Sequence, residues 1–186
     1  MQKKIILLVV IGITTFLLVL LQTRTSFPSN ERNCPSCETF GIQRFKKMKA
    51  PSFSLKGLGG DKITLKELKG KPIILTFWAT WCSPCKEELP TLKKFAEERK
   101  DQLGILTIAI DGDNKKKVQR FVEENKISLA VLLDEKEEIA RTYRVRMVPT
   151  TFLIDRDGMM VGAITGQRDW SLPEAWFAIE ELFDLH

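Results

Sequence analysis

The sequence predicts an α/β domain in three layers, in which a central mixed sheet lies between helices. Runs of β-branched and aromatic residues at 73–78, 105–110 and 129–133 alternate along the chain with segments of helical periodicity. This alternation is typical of a sheet with helices packed on both faces. The chain then carries a hairpin signal at Asp157-Gly158 and a last helical pattern. An antiparallel hairpin beside parallel strands would make the sheet mixed.

Turn signals and side-chain periodicity place the other elements. Residues 53–55 and 62–65, separated by a glycine-rich turn, predict a small hairpin. After Cys85, apolar residues recur at helical spacing while charged residues occupy the other faces. The elements that follow this helix are a strand at 105–110, a helix capped by Asp113, a strand at 129–133, a short helix at 135–143, a strand pair at 149–154 and 159–163, and a helix that opens on the capping-box pattern of Ser171 and Glu174.

An apolar segment near the N-terminus predicts a membrane anchor. Residues 5–21 carry no charge and follow Lys3 and Lys4. As a helix they would span about 26 Å, close to the hydrocarbon thickness of a bilayer. Basic residues ahead of an apolar run favour a cytoplasmic N-terminus, so we expect a single-pass signal anchor over 1–21 and a catalytic domain outside the cytoplasm. A cleaved signal peptide is the alternative, and it gives the same compartment, in which disulfides persist.

Composition excludes several classes of function. The single histidine is His186, the last residue of the sequence. Cys–His nucleophiles, His-ligated catalytic zinc and Ser–His triads are therefore not expected, because each needs an imidazole within the fold. The densest basic run, 115–117, lies on a helical pattern without interleaved aromatic residues, so nucleic-acid binding is not expected either. We expect no cofactor and no metal.

The polar segment 22–49 predicts a tether between the anchor and a folded domain at 50–186. It carries a first Cys-x-x-Cys, formed by Cys34 and Cys37. Three interpretations of this pair stay open: a passive disulfide, an auxiliary redox pair that relays electrons, and metal binding or intermolecular pairing. A flexible linker from Cys37 to Pro51 would reach about 20 Å, which makes exchange with a pair in the domain geometrically feasible.

A second Cys-x-x-Cys, at Cys82 and Cys85, lies between a predicted strand and a predicted helix. Pro84 suits the first turn of that helix, since it lacks the amide hydrogen that would go unpaired there. A cysteine at a helix N-terminus is stabilised as the thiolate, which is the nucleophile of disulfide exchange. Cys85, one turn later, can then attack a mixed disulfide formed at Cys82. The sequence therefore predicts a redox-active disulfide.

Other interpretations of this pair fit the sequence less well. A four-cysteine zinc site would need Cys34 and Cys37, whose separation of 45 residues from Cys82 exceeds that of ordinary zinc ribbons. A structural disulfide would close a very short loop and gain little stability. Haem attachment requires a histidine after the second cysteine, and Lys86 stands there.

The segments 77–90 and 148–154 resemble the thioredoxin superfamily, and most of all its membrane-anchored TlpA/ResA-like branch, which includes cytochrome c maturation thioredoxins. The resemblance covers 50–186 and implies a thioredoxin-like fold. It implies that Cys82 is the attacking thiol and Cys85 the resolving thiol.

The resemblance assigns further site residues around the dithiol. Trp81 would be its packed neighbour, and Pro149 the cis-proline that faces it. The side chains or backbone expected to contact substrate are those of Trp81, Ser83, Pro84 and Val148. Ordinary thioredoxins carry a buried aspartate on the strand before the motif, where this sequence has Thr76. Glu88 occupies the position of a glutamate with a related role in the ResA-like branch, and a carboxylate there could exchange protons with the sulfurs. The alternative is that Glu88 is solvated.

The function implied is a protein-disulfide reductase that acts on exported proteins such as apocytochrome c, supplied with electrons by a membrane donor protein. A disulfide oxidase or isomerase would use the same atoms in the opposite direction. A thiol peroxidase and a binding or chaperone module without redox activity are further alternatives on the same fold. The sequence leaves redox direction, substrate and oligomeric state open.

Overall fold

The computed structural model describes residues 33–68 and 70–185. The predicted anchor at 1–21 and the first part of the predicted tether lie outside the described residues. Within these ranges, no helix combines the length and apolar character needed to cross a membrane. The compact unit that the described residues form begins at Cys34.

Strands and helices alternate through the middle of the domain, as the hydrophobic periodicity predicts. In chain order the elements are α1 (Pro35–Phe40), β1 (Gln43–Lys49), β2 (Ser54–Gly57), β3 (Lys62–Thr64), a 3₁₀ turn (Leu65–Leu68), β4 (Ile73–Trp78), α2 (Ser83–Arg99), β5 (Gly104–Ala109), α3 (Lys115–Glu124), β6 (Ala130–Leu133), α4 (Glu138–Thr142), β7 (Thr150–Ile154), β8 (Met159–Thr165) and α5 (Pro173–Phe183).

The strands of the described residues form one mixed sheet in the order β1-β8-β7-β4-β5-β6-β2-β3. Strand β4 is parallel to β5 and antiparallel to β7, and β5 is parallel to β6. Every residue of β4 is buried, because the sheet is covered on both faces at its centre. The predicted hairpins at 53–65 and 149–163 are confirmed as the antiparallel pairs β2–β3 and β7–β8.

Two apolar clusters lie on opposite faces of this sheet, which gives the predicted three layers. Consecutive β4 residues alternate between them, with Ile74 and Trp78 in one cluster and Ile73, Leu75 and Phe77 in the other. Helices α1, α2, α3 and α5 contribute to the first cluster, and α4 and the 3₁₀ turn contribute to the second.

The predicted tether is wrong for residues 34–49, which belong to the fold. Residues 35–40 form α1, and β1 pairs with the edge of β8 through Gln43 and Ala163. Strand β1 gave no strand signal because almost all of its side chains are exposed, so the alternation of a half-buried strand is absent. The domain therefore starts at Cys34 and not at Ala50.

Two helix caps also differ from the prediction. The cap of α3 is Asn114 rather than Asp113, and its side chain accepts no capping hydrogen bond. The cap of α5 is Leu172, and Ser171 donates its hydroxyl hydrogen to Asp169 instead of capping the helix. The capping-box prediction is wrong because Pro173 occupies the first turn of the helix. The helix therefore starts one residue later than the capping box requires.

Candidate active site at the start of helix α2

Cys82 and Cys85 lie at the point where the chain leaves the central strand and enters α2. Cys82 is the N-cap residue, and its sulfur accepts a hydrogen bond from the Cys85 amide at 3.2 Å. The two sulfurs form a disulfide. When this bond is open, the Cys82 sulfur faces the amide groups and the positive end of the helix dipole, which stabilise a thiolate.

A buried carboxylate fixes the turn between β4 and Cys82. The Thr80 amide donates to Asp111 at 3.0 and 3.1 Å, and the Thr80 hydroxyl donates to the same carboxylate. Asp111 follows β5 and is 8% exposed. Sequence reasoning missed this residue, although a polar side chain just beyond the carboxyl end of a buried parallel strand is a known signal for a site.

The loop before β7 also approaches the disulfide. The Val148–Pro149 peptide bond is cis. The Val148 carbonyl oxygen lies 3.5 Å from the Cys82 sulfur, and the Pro149 carbonyl accepts a hydrogen bond from the Gly166 amide at 2.9 Å. The structure therefore brings Pro149 and Val148 to the sulfur pair.

Glu88 lies one turn after Cys85 on α2 and is 1% exposed, so the interpretation of a solvated side chain is wrong. Its Oε1 accepts a 2.7 Å hydrogen bond from the Trp170 indole. Burial raises the pKa of Glu88 to about 7, although the Trp170 hydrogen bond, the Arg168 charge and the Arg168 amide act in the opposite direction. Its other oxygen, Oε2, is buried and accepts no hydrogen bond within the described part of the chain. A carboxyl with this pKa exchanges protons readily near neutral pH.

Trp170 and Arg168 belong to this site, and sequence reasoning assigned neither of them to it. Trp170 is 1% exposed, and its indole donates a hydrogen bond to the Glu88 carboxyl. Arg168 sends its side chain to the Phe40 carbonyl, which accepts from Nε at 2.8 Å. Both residues lie in the loop between β8 and α5, and this loop contains no sequence motif that predicts a contact with α2.

The surface around the sulfurs is partly apolar. Trp81 is 62% exposed and Met147 is 55% exposed, and they precede Cys82 and Val148 in the two loops that meet at the disulfide. Trp81 is therefore a largely exposed neighbour of the dithiol, and its contact with substrate stays a prediction. Ser83 and Pro84 are also exposed.

Thr76 occupies the buried centre of the sheet below the site. Its hydroxyl and that of Thr151 on β7 form a 2.9 Å hydrogen bond, and both residues are 1% exposed. The two hydroxyls satisfy each other, so this position carries no charge under the disulfide.

Cys34 and Cys37 form a second disulfide, at the start of α1. Because β1 holds the chain after α1 against β8, the flexible linker that would carry this pair to Cys82 is absent. No cluster of His, Cys, Asp or Glu side chains suited to a metal occurs among residues 33–68 and 70–185.

Comparisons with known proteins agree with this geometry. A model of the AhpC/TSA family matches residues 47–163. Over 120 residues the chain is 41% identical to the thiol-disulfide oxidoreductase ResA of Bacillus anthracis, covering 64% of this chain and 69% of the relative. Over 131 residues it is 37% identical to the thioredoxin-like protein YneN of Bacillus subtilis (strain 168), covering 67% and 75%.

A solved structure shows the same fold. The crystal structure of a thiol:disulfide interchange protein of the thioredoxin family from Chlorobium tepidum TLS superposes with a TM-score of 0.64 at 26% identity. The match covers 75% of this chain and 99% of that one.

Proposed function

The chain belongs to the AhpC/TSA family and is a thiol-disulfide oxidoreductase of thioredoxin-like fold, and from this premise we propose that it reduces disulfides of exported proteins outside the cytoplasm, with apocytochrome c as a substrate. The observation that carries the proposal is the Cys82–Cys85 disulfide at the start of α2, with the exposed Trp81 beside Cys82 and the buried Glu88 one helical turn after Cys85. The exposed apolar side chains of Trp81 and Met147 offer a surface on which a polypeptide substrate can dock. The Glu88 carboxyl can take up and release the protons that thiols lose and gain during disulfide exchange.

In the reductive direction the reaction begins with the dithiol form. The Cys82 thiolate attacks one sulfur of the substrate disulfide, and the other substrate sulfur leaves as a thiolate that takes a proton from solvent. The Cys85 thiol then loses its proton and attacks the Cys82 sulfur of the mixed disulfide. The second substrate sulfur leaves and is protonated in turn. Two electrons and two protons pass to the substrate, and the enzyme disulfide is restored.

Glu88 is the acceptor for the Cys85 proton. It follows Cys85 by one helical turn and is buried with it, so the proton transfer takes place away from bulk water. With a pKa of about 7 the carboxyl is partly ionised near neutral pH, which lets it accept this proton and release it afterwards. The Val148 carbonyl beside Cys82 and the cis-Pro149 loop are placed to align the backbone of the substrate chain.

The proposed compartment follows from the predicted anchor. An uncharged segment at 5–21 after two lysines favours a single-pass protein with its catalytic domain outside the cytoplasm. Such a reductase needs a supply of electrons, and a membrane protein that carries a dithiol is the class of donor that fits. Apocytochrome c is proposed as substrate because its haem-attachment Cys-x-x-Cys-His segment can oxidise to a disulfide in that compartment.

The midpoint potential of the Cys82–Cys85 pair in the full-length protein tests the direction. Thiol–disulfide buffers, differential alkylation and peptide mass mapping would separate this pair from Cys34–Cys37. A reductase should lie near the thioredoxin value of about −270 mV, whereas an oxidase lies near the DsbA value of about −120 mV. Reduction of an oxidised peptide with the apocytochrome c Cys-x-x-Cys-His segment should also occur, and should be lost in Cys82→Ser. A potential in the oxidase range would refute the proposed direction.

A further inference from the structure

The second disulfide lies in the first turn of α1, where this short helix packs against the rest of the domain. Cys37 is fully buried and Cys34 is 5% exposed. The Cys37 sulfur lies 3.9 Å from the Ala178 carbonyl oxygen on α5, and the Ser36 amide donates to the Glu181 carboxylate at 3.1 Å. The bond between the sulfurs closes the first turn of α1. The disulfide therefore constrains the first turn of α1, which is the part of the helix that contacts α5.

The far end of α1 contacts the residues around the Glu88 carboxyl. The Phe40 ring packs edge-on against the Trp170 indole, with centroids 5.2 Å apart. The Phe40 carbonyl accepts the Arg168 Nε hydrogen bond. Gly41, with φ +79°, ends the helix, and a Cβ there would collide with the Arg168 guanidinium. Only glycine leaves room for this approach.

Arg168 and Trp170 are also the two residues that act on Glu88. The indole donates to Oε1, and the charge and backbone amide of Arg168 favour the ionised carboxyl. The charge that acts on Glu88 is that of the Arg168 guanidinium. One path of contacts therefore joins the Cys34–Cys37 disulfide to the carboxyl behind the redox pair.

We propose that Phe40, Arg168 and Trp170 are positioning residues for the Glu88 carboxyl, and that the Cys34–Cys37 disulfide keeps them in place by fixing α1. The inference deepens the proposed function, on which it rests for the role of Glu88 in proton transfer. Without the disulfide, α1 loosens and Arg168 loses the carbonyl that orients it. The ionised carboxylate then has weaker partners while it stays buried.

The test follows the titration of Glu88 directly in the oxidised full-length protein. The ¹³C signal of the labelled glutamate carboxyl is assigned by its loss in Glu88→Gln. In Cys34→Ser/Cys37→Ser, and in Trp170→Phe, which keeps a ring but loses the N–H donor, the titration midpoint should move up by about one pH unit. Arg168→Lys, which retains the charge, should move it less than Arg168→Met. Thr39→Ala, an exposed change on the same helix, should leave it in place.

An unmoved Glu88 midpoint in a folded Cys34→Ser/Cys37→Ser protein would overturn the inference, since a disulfide that merely adds stability predicts that result. If the double variant does not fold, Phe40→Leu tests the contact of α1 with Trp170 by the same measurement, and an unmoved Glu88 midpoint there would also overturn the inference. The pH profile of turnover separates this inference from the proposed function. A Glu88 titration that moves while the turnover profile does not would retain the positioning role and refute proton transfer through Glu88. In the Glu88→Gln background, none of these changes should move the turnover profile further.

Discussion

The Trp170 indole donates a 2.7 Å hydrogen bond to Glu88 across 82 residues of sequence, and it does so inside the core. A buried carboxyl with one such partner is only partly compensated for its loss of water. This explains why the pKa of Glu88 lies well above its usual range and still falls short of what burial alone would cause.

Glu88→Gln should change how the stability of the oxidised protein depends on pH. Below about pH 4.5 the carboxyl is protonated in the folded and the unfolded chain and adds no pH dependence. As the pH rises from 4.5 to about 7, the unfolded chain ionises first, so the wild type loses stability. The loss is complete above the folded pKa and amounts to about 3 kcal/mol.

The variant lacks this loss. Urea unfolding should therefore show the free energy of unfolding of Glu88→Gln rising relative to wild type by about 3 kcal/mol between acid and mildly alkaline pH. Glu87→Gln is the matched control, because Glu87 is the exposed neighbour on the same helix. A wild-type curve parallel to that of Glu88→Gln would contradict the raised pKa.

The Thr76–Thr151 hydrogen bond gives a second prediction, on stability. Thr76→Val and Thr151→Val should each cost about 1–3 kcal/mol, because each leaves one buried hydroxyl without its partner. The double variant should cost less than the sum of the two, since no hydroxyl is then unpaired. Strictly additive losses in denaturant unfolding would show that the two hydroxyls do not act as a pair.

The sequence predicted the central elements and the dithiol because their signals are local. Strand β4, Cys82 and the start of α2 follow one another within a dozen residues, and each has a recognisable pattern. The contacts of Glu88 with Trp170 and Arg168 could not be predicted this way, because they join α2 to a loop some 80 residues later and neither partner stands in a motif.

The first Cys-x-x-Cys was misplaced for a different reason. Its polar flanks and the exposed strand β1 have the composition of a linker, and an edge strand exposed on both faces has no hydrophobic period. What holds α1 against the fold is its packing on α5, which depends on residues far along the chain, whereas the disulfide at the start of α1 joins residues only three apart.

Asp111→Ala should slow disulfide exchange at Cys82 by loosening the turn that carries it. Asp111 binds the Thr80 amide and hydroxyl, so its loss frees the turn that carries Cys82. We expect a loss of about 1–3 kcal/mol in stability and a lower limiting rate of alkylation in the reduced protein. Stopped-flow alkylation across pH separates the limiting rate from the midpoint. A shifted midpoint at an unchanged limiting rate would contradict a positioning effect on the turn.

Cys85→Ser should trap a mixed disulfide between Cys82 and its protein substrate. The serine cannot attack the intermediate, which then accumulates and is visible on non-reducing gels and by mass spectrometry. Cys82→Ser should trap nothing, because Cys85 is 1% exposed and has no access to a substrate. Adducts that form through Cys85 in Cys82→Ser would reverse the assignment of attacking and resolving thiols.

Trp81→Ala should distinguish protein substrates from small disulfides. Trp81 exposes a large apolar surface beside Cys82, and a docked polypeptide would bury it, whereas oxidised glutathione is too small to do so fully. Truncation of an aromatic contact at the centre of an interface costs about 1–3 kcal/mol, so kcat/KM for a protein disulfide should fall by about fivefold to a hundredfold. The value for oxidised glutathione should change little. Phe177→Ala removes an equally exposed aromatic side chain from α5, and it should affect neither substrate. Equal losses for both substrates in Trp81→Ala would mean that Trp81 acts on the reactivity of the sulfur and not on docking.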